Sequence, residues 1–235
     1  MMTFDTSQHA GINFRKVYRR ANEILASSPA VSSFPFRAKE LVREQSDIAF
    51  CSFDKARKCH VDIKQFGSES AVLMELDGAY IIFFNQDEVK YRIRFSIMHE
   101  YGHYELGHKM NLKREDPLYG VQEIEANCFA AQILMPEQLL RECAQRGKTL
   151  TQDFIIRSFD VSPEAAQKRI NTLSKTVYEW RSRTENCYDD IILKRYAEYL
   201  NMIAPKPIQS SYYFEDDYKR ELERNDWIDT RSRWR

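Results

Sequence analysis

The sequence predicts an α+β fold, mainly helical, with a small antiparallel sheet followed by C-terminal helices. Three observations carry this. Apolar residues recur at helical spacing along most of the chain. Short runs rich in Val, Ile, Phe and Tyr are confined to residues 46–86. Within that stretch Asp77-Gly78 separates two such runs, and a type I′ hairpin turn needs positive φ at both central positions.

Taken in order, Phe14 to Ser27 places Phe14, Val17, Tyr18, Ala21, Ile24 and Leu25 at helical spacing, and Ser28-Pro29 ends the pattern. A second short helix is expected after Pro35, with the proline in its first turn, running to about Gln45. Ile48–Phe53, Cys59–Ile63, Ala71–Leu76 and Ala79–Asn85 read as strands. Tyr91 to about Leu106 reads as one helix, Asn111 to Gly120 as a polar loop, and Val121 to Leu134 as the next helix, halted by Met135-Pro136. Pro136–Arg146 and Thr151–Phe159 are further helices. Ser162 as N-cap with Pro163 behind it starts another. Cys187 to Ile203 looks helical, and Pro205-Lys206-Pro207 breaks the chain. Four parts follow: N-terminal helices (1–45), a core (46–146), a helical pair (147–180) and a C-terminal extension (181–235).

A length of 235 residues fits one medium domain with appendages, and 43% hydrophobic residues exclude wholesale disorder. The 35 Lys+Arg balance 35 Asp+Glu, so the chain lacks the basic excess of a general nucleic-acid binder. The longest apolar runs, such as Ala79 to Phe84, are too short to span a bilayer, and Met1 to Lys16 has no signal-peptide-like stretch. A cytoplasmic location is therefore expected. Cys51, Cys59, Cys128, Cys143 and Cys187 are odd in number and form no CxxC pair, so free thiols are expected.

Three of the five histidines, His99, His103 and His108, fall within ten residues. The chain reads His99-Glu100-Tyr101-Gly102-His103, an HExxH motif. Histidines four apart share a helix face, so two imidazoles can hold one Zn2+. Zinc lowers the pKa of its water to about 7, and a carboxylate beside the first ligand, Glu100, can then take the proton.

A catalytic zinc needs a third protein ligand. The layout with Gly seven and His ten residues after the first His is rejected, because Leu106 and Lys109 stand there. On a continuous helix His108 points away from the shared face, which disfavours it, although Gly107 can break the helix. The remaining candidate lies on the next helix, 20 residues after His103, where Glu123 and Asn127 share a face. Glu123 can complete the site, and Asn127 can accept from the free N–H of a ligand imidazole. Glu125, rotated about 200° from Glu123, faces elsewhere.

The runs Arg94 to His103 and Glu123 to Pro136, preceded by Tyr80-Ile81-Ile82-Phe83-Phe84-Asn85, closely resemble the ImmA/IrrE family of metallopeptidases. The resemblance spans roughly residues 15–175. It implies a zincin-like core with a gluzincin-type site: His99, His103 and Glu123 as Zn2+ ligands and Glu100 as general base. It further implies a cytoplasmic zinc endopeptidase whose protein substrate is a helix-turn-helix repressor of a mobile element or stress response. The extension Arg181–Arg235 departs from the family pattern. The competing reading is a non-proteolytic zinc-binding regulator that binds a repressor or DNA.

Residues 154–170 resemble a helix-turn-helix, but Thr151–Ser182 holds five Lys/Arg against four Asp/Glu, so direct nucleic-acid binding is not expected. Tyr101 and Tyr104 are expected to pack rather than to stabilise an oxyanion. The aromatic, highly charged stretch 208–235 reads as a solvated extension or a docking arm.

Overall fold

The computed structural model describes residues 11–110, 112–175, 182–206 and 219–220. The chain divides into two compact units, 1–204 and 205–235. Only Pro205, Lys206, Lys219 and Arg220 of the second unit are described, so the docking-arm reading of 208–235 falls almost wholly outside the described residues.

The first unit opens with α1 (Phe14–Ser27), which has the expected limits; Asn13 caps it by accepting from the Lys16 N–H. Helix α2 (Ala38–Gln45) begins later than expected, because Arg37 at its N-cap keeps extended backbone and Pro35 lies upstream. Strand β1 (Ala49–Ser52) runs straight into α3 (Phe53–Lys58), where Ser52 accepts from the Lys55 N–H. No strand forms at Cys59–Ile63. Cys59 is the C-cap of α3, His60 takes a φ of 59°, and Ile63 starts a 3-10 turn (Ile63–Phe66). The hairpin β2 (Ala71–Leu76) and β3 (Ala79–Phe84) forms as expected, with φ of 50° at Asp77 and 80° at Gly78.

The sheet order is β1-β3-β2. Strand β2 pairs antiparallel with β3, but β1 pairs parallel with it, Ala49 opposite Ile81, so the expected antiparallel sheet is mixed. Alternation along the strands gives two buried faces. Leu73 and Ile82 join the main core, whereas Val72, Met74, Ile81 and Phe83 pack with Phe53 and Ala56 of α3. Among the described residues strand β2 is an edge.

Helices α4 (Lys90–Glu105) and α5 (Pro117–Leu134) make the most extensive helix pair and enclose Ile97, Met98, Tyr101, Phe129, Ala130 and Ile133. Helix α5 starts four residues before the expected Val121, because Asp116 accepts from the Leu118 N–H and Pro117 opens the helix. Helices α6 (Glu137–Gln145), α7 (Gln152–Phe159) and α8 (Pro163–Lys175) follow, with Ser162 accepting from the Ala165 N–H. The expected helix 187–203 is two, α9 (Arg183–Arg195) and α10 (Ala197–Ile203), separated at Tyr196. The Tyr196 hydroxyl is buried 2.9 Å from the Leu25 carbonyl and 2.8 Å from that of Val31, which ties this junction to α1. Among the described residues no helix is long and apolar enough to cross a membrane.

In the helix-turn-helix-like pair α7–α8, two described cations stand beside acids of their own helix and a third is buried against other elements. Arg157 pairs with Asp153 at 3.1 Å and Lys168 with Glu164 at 2.7 Å, both within one helix. Arg169 is buried and donates to the Met135 carbonyl at 2.9 Å, to the Gln132 side chain and to the Tyr18 hydroxyl. Arg169→Ala strips these buried acceptors of a charged donor and is expected to cost about 1–3 kcal/mol. A urea midpoint equal to that of the parent chain would show that the network adds no stability.

Candidate metal centre

Helix α4 presents His99 and His103 one turn apart, with their Nε2 atoms 3.1 Å from each other. Helix α5 brings Glu123 to face both, with one oxygen 3.5 Å from His99 Nε2 and the other 3.5 Å from His103 Nε2. One ligand atom from each of the three residues lies within 4.8 Å of the others. Two imidazole nitrogens this close, facing a carboxylate, converge on one point that a metal ion or a shared proton can occupy. Two nitrogens and one oxygen form the donor set of a catalytic zinc site, and they suit a borderline cation better than a hard one. The residues present therefore fit the metal.

The approach of α5 depends on Gly102. A Cβ there would lie 3.0 Å from Phe129 Cδ1 and 3.3 Å from both the Cα and carbonyl oxygen of Ala126. Gly102→Ala is expected to cost about 1–3 kcal/mol through overpacking, which outweighs the ~1 kcal/mol of helix propensity gained. Any metal affinity of the cluster should fall with it, because α5 carries Glu123. Thermal melts with and without zinc read both effects; a variant as stable as its parent would show that the helices part without cost.

Electrostatics follow from burial and pairing. Burial pulls the His99 pKa down, but the contact with Glu123 and the charges of Glu100 and Glu123 leave it raised. The imidazoles of His103 and His99, each 3.5 Å from one of its oxygens, hold the Glu123 carboxyl well below the usual carboxylate range. Burial pushes the Glu100 carboxyl up against the opposing pull of both imidazoles and of the Leu73 N–H. Glu100 Oε2 accepts from that N–H at 2.8 Å. Leu73 lies on β2, so its amide points out from the free edge of the sheet towards α4. The Glu123 side chain retains 33% exposure against 15% for His99 and 14% for His103, so the cluster opens to solvent on its Glu123 side.

The remote ring nitrogens are both occupied. His99 Nδ1 lies 3.1 Å from Asn127 Oδ1, as the shared face of Glu123 and Asn127 predicted. His103 Nδ1 meets His108 Nδ1 at 2.9 Å. His108 is therefore not excluded from the site by its distance along the helix; it is folded back over it. Gly107, at φ 63°, ends α4: the Gly107 N–H bonds the Tyr104 carbonyl and the His108 N–H bonds the His103 carbonyl. This Schellman turn reverses the chain one residue before His108. His108 Nε2 then reaches Glu125 Oε2 at 3.0 Å, and the other Glu125 oxygen accepts from the Asn13 N–H at 2.6 Å. Glu125 faces away from Glu123, as its rotation predicts, and what it faces is His108. Sequence reasoning missed this pair; the signal for it was a glycine just past the helix end, with the histidine next in line. Burial, ahead of the opposing contact with Glu125, keeps the His108 pKa below its ordinary value.

Tyr101 is fully buried against Phe129, with ring centroids 5.9 Å apart. Tyr104 packs edge-on to Tyr80 at 5.0 Å, so both phenols pack as expected.

No curated protein matches the chain. The profile of the IrrE N-terminal-like domain, the M78 metallopeptidase family, matches residues 54–171, half of the chain, and includes all of α4 and α5. The HExxH helix, the acidic helix packed on it and this match together make the chain a member of the IrrE N-terminal-like metallopeptidase family.

Proposed function

We propose that this chain is a zinc-dependent endopeptidase acting on a cytoplasmic regulatory protein, a helix-turn-helix repressor. The observation that carries the reading is the convergence of His99, His103 and Glu123 beside Glu100, whose carboxylate is bonded to the free edge of β2. His99 Nε2, His103 Nε2 and a Glu123 oxygen would hold the ion. Bound there, Zn2+ supplies a Lewis acid for a peptide carbonyl and brings the pKa of a water near 7.

The chain's own residues supply the remaining roles. The edge of β2 takes the substrate as an added strand, which fixes the scissile bond through main-chain hydrogen bonds. The Leu73 N–H holds one oxygen of Glu100, and the other takes the proton of the attacking water. Glu100 then gives that proton to the leaving amide nitrogen. Asn127 and His108 hold the two ligand rings from behind.

A protein substrate accords with the peptidase family, and the repressor with the resemblance at residues 80–136. Arg157 and Lys168 each stand beside an acid of their own helix, which leaves no local basic excess, and Arg169 is buried; both weigh against direct DNA contact by α7–α8. Mass spectrometry of the purified chain with Zn2+ and the repressor encoded next to its gene tests the proposal. Zinc-dependent cleavage is expected. Binding of the intact repressor without cleavage would instead favour a non-proteolytic regulator.

A further inference from the structure

We infer that His108 and Glu125 are positioning residues for His103, acting as a histidine–carboxylate relay anchored on the N-terminus of α1. The inference rests on the metal-site reading above and extends it to residues outside the ligand set.

Proton placement makes the argument. Glu125 receives the Asn13 N–H on one oxygen and faces His108 Nε2 with the other, so as a carboxylate it can only accept. His108 must then carry its proton on Nε2. Its Nδ1 is left with a lone pair, and that lone pair faces His103 Nδ1 at 2.9 Å. His103 then carries its own proton on Nδ1, and its Nε2 lone pair is the one offered to a cation held jointly with His99 and Glu123. With neutral rings and an ionised Glu125, the opposite assignment would set the His108 Nε2 lone pair against a carboxylate oxygen. One charge, fixed by one backbone amide, thus selects the tautomer of a ligand two hydrogen bonds away.

The surroundings protect this order. The side chain of His108 is 4% exposed and that of Glu125 10%, so water competes little for their bonds. Lys16 Nζ donates to the Leu106 carbonyl at 2.5 Å, which fastens α1 to the turn that carries His108. His99 needs no such relay, because Asn127 on α5 already accepts from it. The two ligand rings are therefore oriented by different elements: His99 by α5 alone, His103 jointly by the α4 turn, α5 and α1.

The test uses the full chain with Zn2+, and variants His108→Ala, His108→Asn, Glu125→Gln and His99→Ala. Zinc affinity is read by chelator competition. The His103 tautomer is read by imidazole 15N NMR on zinc-free protein above the ordinary imidazole pKa of about 6.5. His108→Ala is expected to lose about 10–100-fold in zinc affinity and to release His103 from its Nδ1–H form. His108→Asn, whose amide oxygen can stand where Nδ1 stood, should recover most of that loss, which a merely space-filling role would not predict. Glu125→Gln should fall between them. If wild type binds zinc and His99→Ala abolishes it, but both His108 variants match wild type in affinity and tautomer, the relay is refuted and the metal site stands. If wild type binds no zinc, the metal-site reading fails, and the NMR arm alone decides the relay: His103 unchanged in His108→Ala overturns it.

Discussion

Glu100→Gln is expected to abolish peptide hydrolysis while leaving zinc bound and the fold intact. The substitution conserves shape, and the amide oxygen can still accept from the Leu73 N–H that holds the carboxylate now. The edge of β2 should therefore stay docked. What is lost is the proton acceptor, since an amide cannot take a proton from water at neutral pH. A positioned general base contributes about 10²–10⁴-fold, or roughly 3–5 kcal/mol of barrier. Single-turnover cleavage of the substrate, with zinc content measured on the same sample, checks both halves. Cleavage at the parent rate would remove Glu100 from the mechanism. Loss of zinc together with activity would mean that Glu100 supports the site rather than acts in it. Glu100→Ala is a useful contrast: it leaves the Leu73 N–H without its acceptor, so its effect should extend to substrate binding at the strand edge.

How much of this was legible in the sequence depends on how local each signal was. Helix α1 and the hairpin were read with nearly their full limits, because an amphipathic stripe and an Asp-Gly turn are written in adjacent residues. The shared face of Glu123 and Asn127 was legible because a helix fixes which residues lie one turn apart, and both face the histidines of α4. Cys59–Ile63 failed because alternating apolar residues signal burial and not pairing: Val61 and Ile63 pack on the α3 side of the sheet without any strand to join. The parallel pairing of β1 was hidden, since a four-residue strand carries no record of its partner's direction. His108 and Glu125 were the costliest omission. Helical geometry put each on the wrong face for a ligand, which is true of both. Their meeting depends on one glycine φ and on the N-terminus of a helix more than a hundred residues from Glu125.

Glu123→Ala should weaken metal binding by more than the 10–100-fold typical for loss of an outer partner. Glu123 is the ligand that α5 contributes, and without it the site reduces to two histidines one turn apart, a pair that many amphipathic helices present by chance. It is also the most exposed of the three, so the cavity left behind admits water and does not collapse. The expected signature is thermal. A ligand present at 100 times its Kd stabilises the folded state by about 2.7 kcal/mol. For a chain of this size that corresponds to roughly 5–10 °C in Tm. The parent chain should thus melt lower in chelator and recover on adding zinc, while Glu123→Ala should melt at one temperature in both. Calorimetry with and without Zn2+ measures it directly. A zinc-dependent rise in Tm that survives in Glu123→Ala would place the metal on other residues and would undo the assignment of α5 as the second wall of the site.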